Sequence, residues 1–419
     1  MAPASTLRSP EHGPAVPAYL RRGMTTKSDI RTLDDAALKA AVVDLGQPAF
    51  RSKQIAEWIW TKGATRFDDM TNLPQGLRDS LSEVYTLTPI APEEEQVSRD
   101  GTVKCAFPIE PGKVVEGVLI PAKDRMTACI SSQVGCSLSC AFCATGKLKL
   151  LRNLTAGEIV DQVRHIAMLA ERHHDHRLTN IVYMGMGEPL LNYRNVLESV
   201  DRITGTPGLG MSPKRITVST AGIAKMIRKL GDDEVKFNLA LSLHAAVDGK
   251  RNRIMEINET NDLASLRDAL VYFHEKTGTR VTFEYILLGG FNDDIEDARE
   301  LARFAACVPC KVNPSSTTPS TMRSSARRMR RRRTSSRTSW KTSSTWWSTS
   351  AVPAGRTSTP PVASWPTRTS WRPVRPDQSS LSTARKASWG TSTEPTWRMR
   401  FLPFFCFSSS FRFRVMSPP

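Results

Sequence analysis

No stretch of the 419 residues stays apolar over the roughly 20 positions that a helical membrane span requires. The opening MAPASTLRSPEHGPAVPAYLRRG lacks the apolar middle of a secretory signal. The expectation is a cytoplasmic protein with no membrane partner. Acidic residues are nearly missing from one region: residues 314–419 hold 19 Lys and Arg but only Asp377 and Glu394. Residues 1–313 hold 39 of each sign, so the formal charge of +17 belongs entirely to that tail. A basic nucleic-acid surface spread over the whole chain is therefore excluded as a reading of net charge. The eight cysteines are partly clustered, and without a secretory signal they favour metal or redox chemistry over a disulfide scaffold.

Residues 314–366 also lack Ile, Leu, Phe, Tyr, Asn, Gln, His, Asp and Glu. Such a segment cannot bury enough apolar surface to offset chain entropy, so 314–419 reads as a disordered, low-complexity basic tail. A basic RNA-binding tail is one account of it. Against that, seven of the nine tryptophans lie there. Out-of-frame translation of a GC-rich gene accounts better for Ser, Thr, Pro, Ala, Arg and Trp together, because third codon positions become second ones. The Pro- and Ala-rich leader, 1–26, also reads as disordered, and Met24 offers an alternative start.

Residues 27–100 read as a small helical accessory domain: DDAALKAAVVDL and RSKQIAEWIWTKG carry helical spacing, separated by the breaker GQPAF. Trp58 and Trp60 there are better explained as core than as base-stacking residues. In 101–313 the pattern changes to alternating strands and helices. VVEGVLIP, MTACISSQV, TNIVYMGM, RITVSTAG, VKFNLALSLHA, RVTFEYILL and CKVN are candidate strands. Between them, 156–172 places Ile159, Val163, Ile166 and Ala170 on one helical face. This alternation predicts an α/β fold with a parallel sheet, open or closed into a barrel, whose site lies at the carboxyl ends of the strands.

Those ends hold the chemistry-bearing residues. Cys136, Cys140 and Cys143 form C-x3-C-x2-C, which suits an iron–sulfur cluster with one iron left open, since a four-iron cluster normally takes four cysteines. A structural zinc site that includes Cys129 is the alternative. MGMGEP, with Gly187 and Glu188, follows a strand, and its glycines permit close approach of the backbone to a ligand. Ser219 in TVSTAG and Ser242, Leu243 and His244 in LSLHA end two further strands. Their groups suit ribose and carboxylate oxygens, or alternatively ordinary strand-end capping and a satisfied core histidine.

The three-cysteine motif, including Phe142, matches the signature of the radical S-adenosylmethionine enzymes. FRSKQIAEWIW, MTNLPQGLRDSL, CISSQVGCSLSCAFC, MGMGEPLLN, RITVSTAG, ALSLHA and PCKVN together resemble, in order, the segments of the dual-specificity RNA methyltransferases of that superfamily. The resemblance implies a partial parallel (β/α) barrel of the radical type with a helical N-terminal domain. It also implies methylation of C2 of adenosine in 23S ribosomal RNA and transfer RNA. The implied cofactors are a 4Fe-4S cluster on Cys136, Cys140 and Cys143 and two molecules of S-adenosyl-L-methionine. Gly187, Glu188, Ser219, Ser242, Leu243 and His244 would bind the latter. A C-terminal cysteine would be methylated and carry the carbon to C2, Glu116 would remove the C2 proton, and Cys129 would release product as a disulfide. A flavodoxin or ferredoxin donor and a monomeric state are further implications. Methylation at adenine C8 and a non-catalytic iron–sulfur RNA-binding protein remain as alternatives.

One family segment, ACGQL with the methyl-accepting cysteine, is absent, and the only tail thiol is Cys406 in FFCFSSS. Reading the third base of each codon with the first two of the next restores it. Trp340-Lys341 becomes Glu and Trp346-Trp347 becomes Val without ambiguity, because Trp has one codon. Arg356 to Pro366 then permits DIDAACGQLA, with a cysteine codon spanning Pro361 and Val362. The expectation is a single lost base just after Asn313. The chain as it stands is then inactive in methylation.

Overall fold

The computed structural model describes residues 27–316 and the pair 413–414. The leader, nearly all of the tail and Cys406 lie outside the described residues. The chain divides into two compact units, one ending at Thr88 and the other starting at Pro89 apart from a short excursion at Trp60–Lys62.

In the first unit, β1 (Ser28–Asp29) pairs in parallel with β2 (Tyr85–Thr86), enclosing helices α1 (Asp35–Asp44), α2 (Arg51–Glu57) and α3 (Gln75–Val84) between them in the chain. α1 starts where the Asp34 carboxylate accepts the Ala37 N–H at 2.8 Å, satisfying a donor the helix leaves free. Gly46, at φ +72°, breaks the chain before α2 inside the GQPAF segment. Ile30, Leu38, Val42, Ile55, Leu77 and Leu81 form the core; Trp58 is half-buried, and Trp60, counted with the second unit, is buried.

The second unit is built on one sheet. β3 (Glu94–Val97), β4 (Val103–Glu110), β5 (Lys113–Ala122) and β6 (Arg125–Cys129) form an antiparallel meander. After the short pair β7 (Gln133–Val134) and β8 (Arg152–Asn153) comes helix α4 (Ala156–His174), then β9 (Asn180–Tyr183) and α5 (Tyr193–Thr204). They are followed by β10 (Ile216–Thr220), α6 (Ala224–Asp232), β11 (Asn238–Ser242), α7 (Asp248–Asn252), α8 (Leu263–Thr277), β12 (Val281–Leu287), α9 (Ile295–Ala305) and β13 (Cys310–Ser316). A two-residue strand, β14 (Phe413–Arg414), pairs with Lys311 and Val312. The order across the sheet is β14-β13-β12-β11-β10-β9-β6-β5-β4-β3, and from β6 through β13 every neighbouring pair is parallel. The expected parallel α/β architecture is thus present as an open sheet of the partial-barrel kind.

Two strands depart from expectation. β3 and β4 belong to the sheet, so residues 94–97 join the second unit instead of extending a helical domain to 100. Glu-Glu-Gln-Val offers little apolar alternation, and Pro108 with the register shift beside it obscures β4.

Strand alternation sorts the sheet into two faces. The paired residues Cys129, Val182, Thr217, Ser219, Ala240, Ser242, Glu284 and Asn313 share one face, and Glu116 and Val118 of β5 belong to it because Val118 pairs with Cys129. Helix α4 covers the other face: its Ile159, Val163 and Ile166 are fully buried, and a Cβ built on Gly117 would stand 3.1 Å from Ile166. α4 itself begins in a capping box in which Thr155 accepts the Glu158 N–H and Glu158 accepts the Thr155 N–H. Polar side chains are thereby collected on the face that the helices leave open.

Candidate functional site

The loops after β6, β9, β10 and β11 meet around an open cavity of about 930 Å³, its mouth included. Cys136, Cys140, Cys143, Gly187, Glu188, Ser219, Ser242 and His244 all line it. Eight of the eleven residues singled out from sequence are therefore in one place. Leu243 does not line it: its side chain is fully buried, and its backbone N–H donates to Glu284 O at 3.0 Å. Glu116, within β5, and Cys129, the last residue of β6, do not line it either.

The cysteine loop is fastened to the segment after β11. Ala141 N–H donates to Ile254 O at 3.0 Å, and Ser139 Oγ donates to Glu256 at 2.5 Å. Leu138, Cys140 and Phe142 pack on Ala221, Ala245, Ile254 and Met255. Burial pushes the Cys136 thiol up to about 11 and Cys140 to about 12, and the neighbouring thiols add to both shifts. Thiols so buried and close enough to repel as thiolates, as Cys136 and Cys140 are, need a cation to ionise them. Among the described residues no three Cys, His, Asp or Glu side chains converge on a single ion. Cys129 does not line the cavity with the three loop thiols, and a cluster that gives each of those thiolates its own iron fits the donor set.

The GMGEP turn needs its glycines. Gly187 has φ +96°, and a Cβ there would lie 2.5 Å from Gln133, while one on Gly185 would lie 2.7 Å from Ile130 carbonyl atoms. Glu188 is held firmly: its carboxylate accepts the Leu190 N–H at 3.1 Å and the Ala221 N–H at 2.7 Å. Burial nevertheless lifts its pKa to about 7. Ser219 and Ser242 hydroxyls lie 3.4 Å apart across neighbouring strands.

His244 sits at φ +56°, unusual for a side chain with a Cβ. Its Nδ1 accepts the Ile286 N–H at 3.1 Å, which leaves the proton on Nε2 in the neutral ring. Its ring meets Phe142 edge-on at 4.6 Å. Burial first, then the Arg251 charge, lowers its pKa to about 3. It is both the satisfied core histidine and a cavity wall.

On the open face, Glu116 makes a 2.6 Å ion pair with Lys104, and burial raises its pKa against the lowering effect of that lysine. Its second carboxylate oxygen is buried without a hydrogen-bond partner. Its backbone carbonyl accepts from Ser131 Oγ at 2.6 Å, and Ser131 Oγ accepts the Met186 N–H at 2.8 Å, tying β5 to the GMGEP turn.

Two residues beside the site escaped the sequence reading. Glu284 is buried, accepts from Asn313 Nδ2 at 2.8 Å and is pushed up to about 7 by desolvation. A lone acid inside the apolar run VTFEYIL was its signal. Arg251 is completely buried, yet DGKRNR reads as a solvated turn and gives no signal.

Residues 28–87 match the family described as Ribosomal RNA large subunit methyltransferase N-terminal domain, and residues 130–304 match the Radical SAM superfamily. The chain is 56% identical over 287 residues to the "Probable dual-specificity RNA methyltransferase RlmN" of Cytophaga hutchinsonii, covering 68% of this chain and 79% of that protein. It is 46% identical over 291 residues to the "Dual-specificity RNA methyltransferase RlmN" of Anaeromyxobacter sp. (strain Fw109-5), covering 68% and 77%. The crystal structure of a radical SAM methyltransferase from Sphaerobacter thermophilus is 39% identical. It superposes with a TM-score of 0.66 over 74% of this chain and 93% of that one.

Proposed function

Because the chain belongs to the dual-specificity RNA methyltransferases of the radical S-adenosylmethionine superfamily, we propose that its fold serves methylation of adenosine C2 in 23S ribosomal RNA and transfer RNA. One observation carries the reading: the three thiols, the GMGEP turn and the polar ends of β10 and β11 line a single cavity. When bound there, a 4Fe-4S cluster supplies an electron and S-adenosylmethionine the methyl group. Cys136, Cys140 and Cys143 hold the cluster. The Gly187–Glu188 turn holds the methionyl amino group, and Ser219, Ser242 and neutral His244 offer hydrogen bonds to ribose and carboxylate oxygens. Leu243 contributes through its backbone alone, since its side chain belongs to the core.

Glu116 is the base for the C2 proton. Its orphaned oxygen is placed to accept that proton, and Lys104 pairs with the other oxygen, working against the burial that raises the Glu116 pKa. Cys129 shares its sheet face and is the thiol that attacks sulfur for release. The methyl-accepting cysteine it would attack is missing from this sequence. On the family resemblance rest three finer parts of the proposal: electrons from flavodoxin or ferredoxin, a monomer, and a cytoplasmic location. No helix among the described residues is long and apolar enough to cross a membrane.

Anaerobic reconstitution tests the core of this reading. The chain should take up one four-iron cluster, and Cys136→Ala, Cys140→Ala and Cys143→Ala should each abolish it. Bound zinc without iron-dependent absorption would overturn the assignment. Mass analysis of digested RNA should find 2-methyladenosine only after one base is restored behind Asn313. The same product from the present chain would refute the need for the missing cysteine.

A further inference from the structure

Arg251 is fully buried, and every group it bonds is neutral. Its Nε donates to Leu243 O at 3.1 Å, one terminal nitrogen donates to Asn258 Oδ1 at 2.6 Å, and the other donates to Ala221 O at 2.5 Å and Ser242 O at 3.2 Å. The nearest acid in this network, Asp248, is reached only through Asn258, whose Nδ2 donates to Asp248 Oδ1 at 2.8 Å. A buried cation whose hydrogen bonds all go to uncharged acceptors is costly, because carbonyl dipoles repay only part of its lost hydration.

Its position explains why it is there. The three carbonyls it gathers belong to the ends of β10 and β11, where Ser219, Ser242 and His244 enter the cavity. Three residues on, Ile254 O anchors the cysteine loop through Ala141. Ala221, whose carbonyl Arg251 holds, belongs to the apolar wall against which Leu138, Cys140 and Phe142 of the cysteine loop pack, so the guanidinium lies directly behind that wall.

We propose that Arg251 is the buried counter-charge of the cluster site, offsetting the negative charge of the three thiolates and of the electron the cluster accepts, while its fork fixes the strand ends. This rests on the cluster reading above. Three thiolates outweigh the charge of an oxidised four-iron core, and one-electron reduction adds a further negative charge within the same low-dielectric wall. A fixed cation there makes reduction easier. Arg251 is thus a positioning and electrostatic residue that acts through the cluster ligands and the strand ends.

The test is a reductive titration, followed by electron paramagnetic resonance, of the reconstituted chain and of Arg251→Gln and Arg251→Lys, with iron content measured on each. Arg251→Gln should keep its iron but become at least tenfold harder to reduce, a fall of about 59 mV for one electron. Arg251→Lys, with the charge kept and the fork lost, should stay within about threefold of the parent while melting earlier. Equal potentials in the parent and Arg251→Gln at equal iron content would overturn this proposal alone. A parent that binds no four-iron cluster would overturn both this proposal and the functional reading beneath it. Should Arg251→Gln fail to fold, Arg251→Lys decides: a tenfold shift despite the retained charge refutes the counter-charge, and an unshifted potential supports it.

Discussion

In the parallel half of the sheet, β6 and β9 to β13, the polar groups that line the cavity lie at strand ends and in the loops beyond them, fixed by backbone contacts such as Glu188 to the Ala221 N–H. In the antiparallel half, Lys104 reaches Glu116 diagonally, since Glu116 faces Ala106 and Lys104 faces Val118, on a surface made by register alone. The parallel half can change its loops without moving its strands. The antiparallel half has no such freedom, since a slip of one residue would turn Glu116 to the face covered by α4. The groups proposed for binding and those proposed for proton handling thus sit on different kinds of support.

The largest expected effect separates the two halves directly. In a chain with the frame restored, Glu116→Gln should leave iron content and S-adenosylmethionine binding unchanged while slowing release of the C2 proton about 10²- to 10⁴-fold. Cys129→Ala should stop later, with protein left crosslinked to RNA. Lys104→Met sharpens the point. It removes the charge that lowers the Glu116 pKa, so the rise of activity with pH should move to higher pH. An unmoved profile would detach Lys104 from the reaction.

A smaller effect belongs to the parallel half. The Glu284 pKa of about 7 lies above its ordinary 4.5 because burial disfavours the charged form. The folded chain therefore holds more protons than the unfolded one between those values, and stability falls as pH rises through that window. The difference in unfolding free energy between Glu284→Gln and the parent should shift in favour of the variant from pH 4.5 to 7.5. The shift should be on the order of 3 kcal/mol. A pH-independent difference would mean that Glu284 is not carrying that burden.

The smallest concerns the helix that closes the covered face. Thr155→Ala removes the acceptor for the Glu158 N–H and should cost about 1 kcal/mol. Denaturant titration should show an earlier midpoint with an unchanged slope.

The same division explains what could be read from sequence. The parallel strands are short apolar runs bounded by Gly, Ser and Asn, and thiols at C-x3-C-x2-C have few other uses, so both were legible. β3 and β4 were not, because an edge strand of Glu-Glu-Gln-Val carries no burial pattern and Pro108 argues against a strand. Glu284 and Arg251 were missed for opposite reasons. One hides in an apolar run, and the other looks like a surface charge until the fold carries it inside. Leu243, next to two cavity residues in sequence, buries its side chain in the core, which leaves only its backbone beside them.

The anchoring of the cysteine loop also sets an order of events during synthesis. Cys136, Cys140 and Cys143 leave the ribosome long before the carbonyl of Ile254 that fixes their loop. Iron delivered to the emerging chain would find three thiols with no wall behind them. The wall behind the three thiols is therefore complete only once β11 and the turn after it have formed, more than a hundred residues after the thiols themselves have emerged.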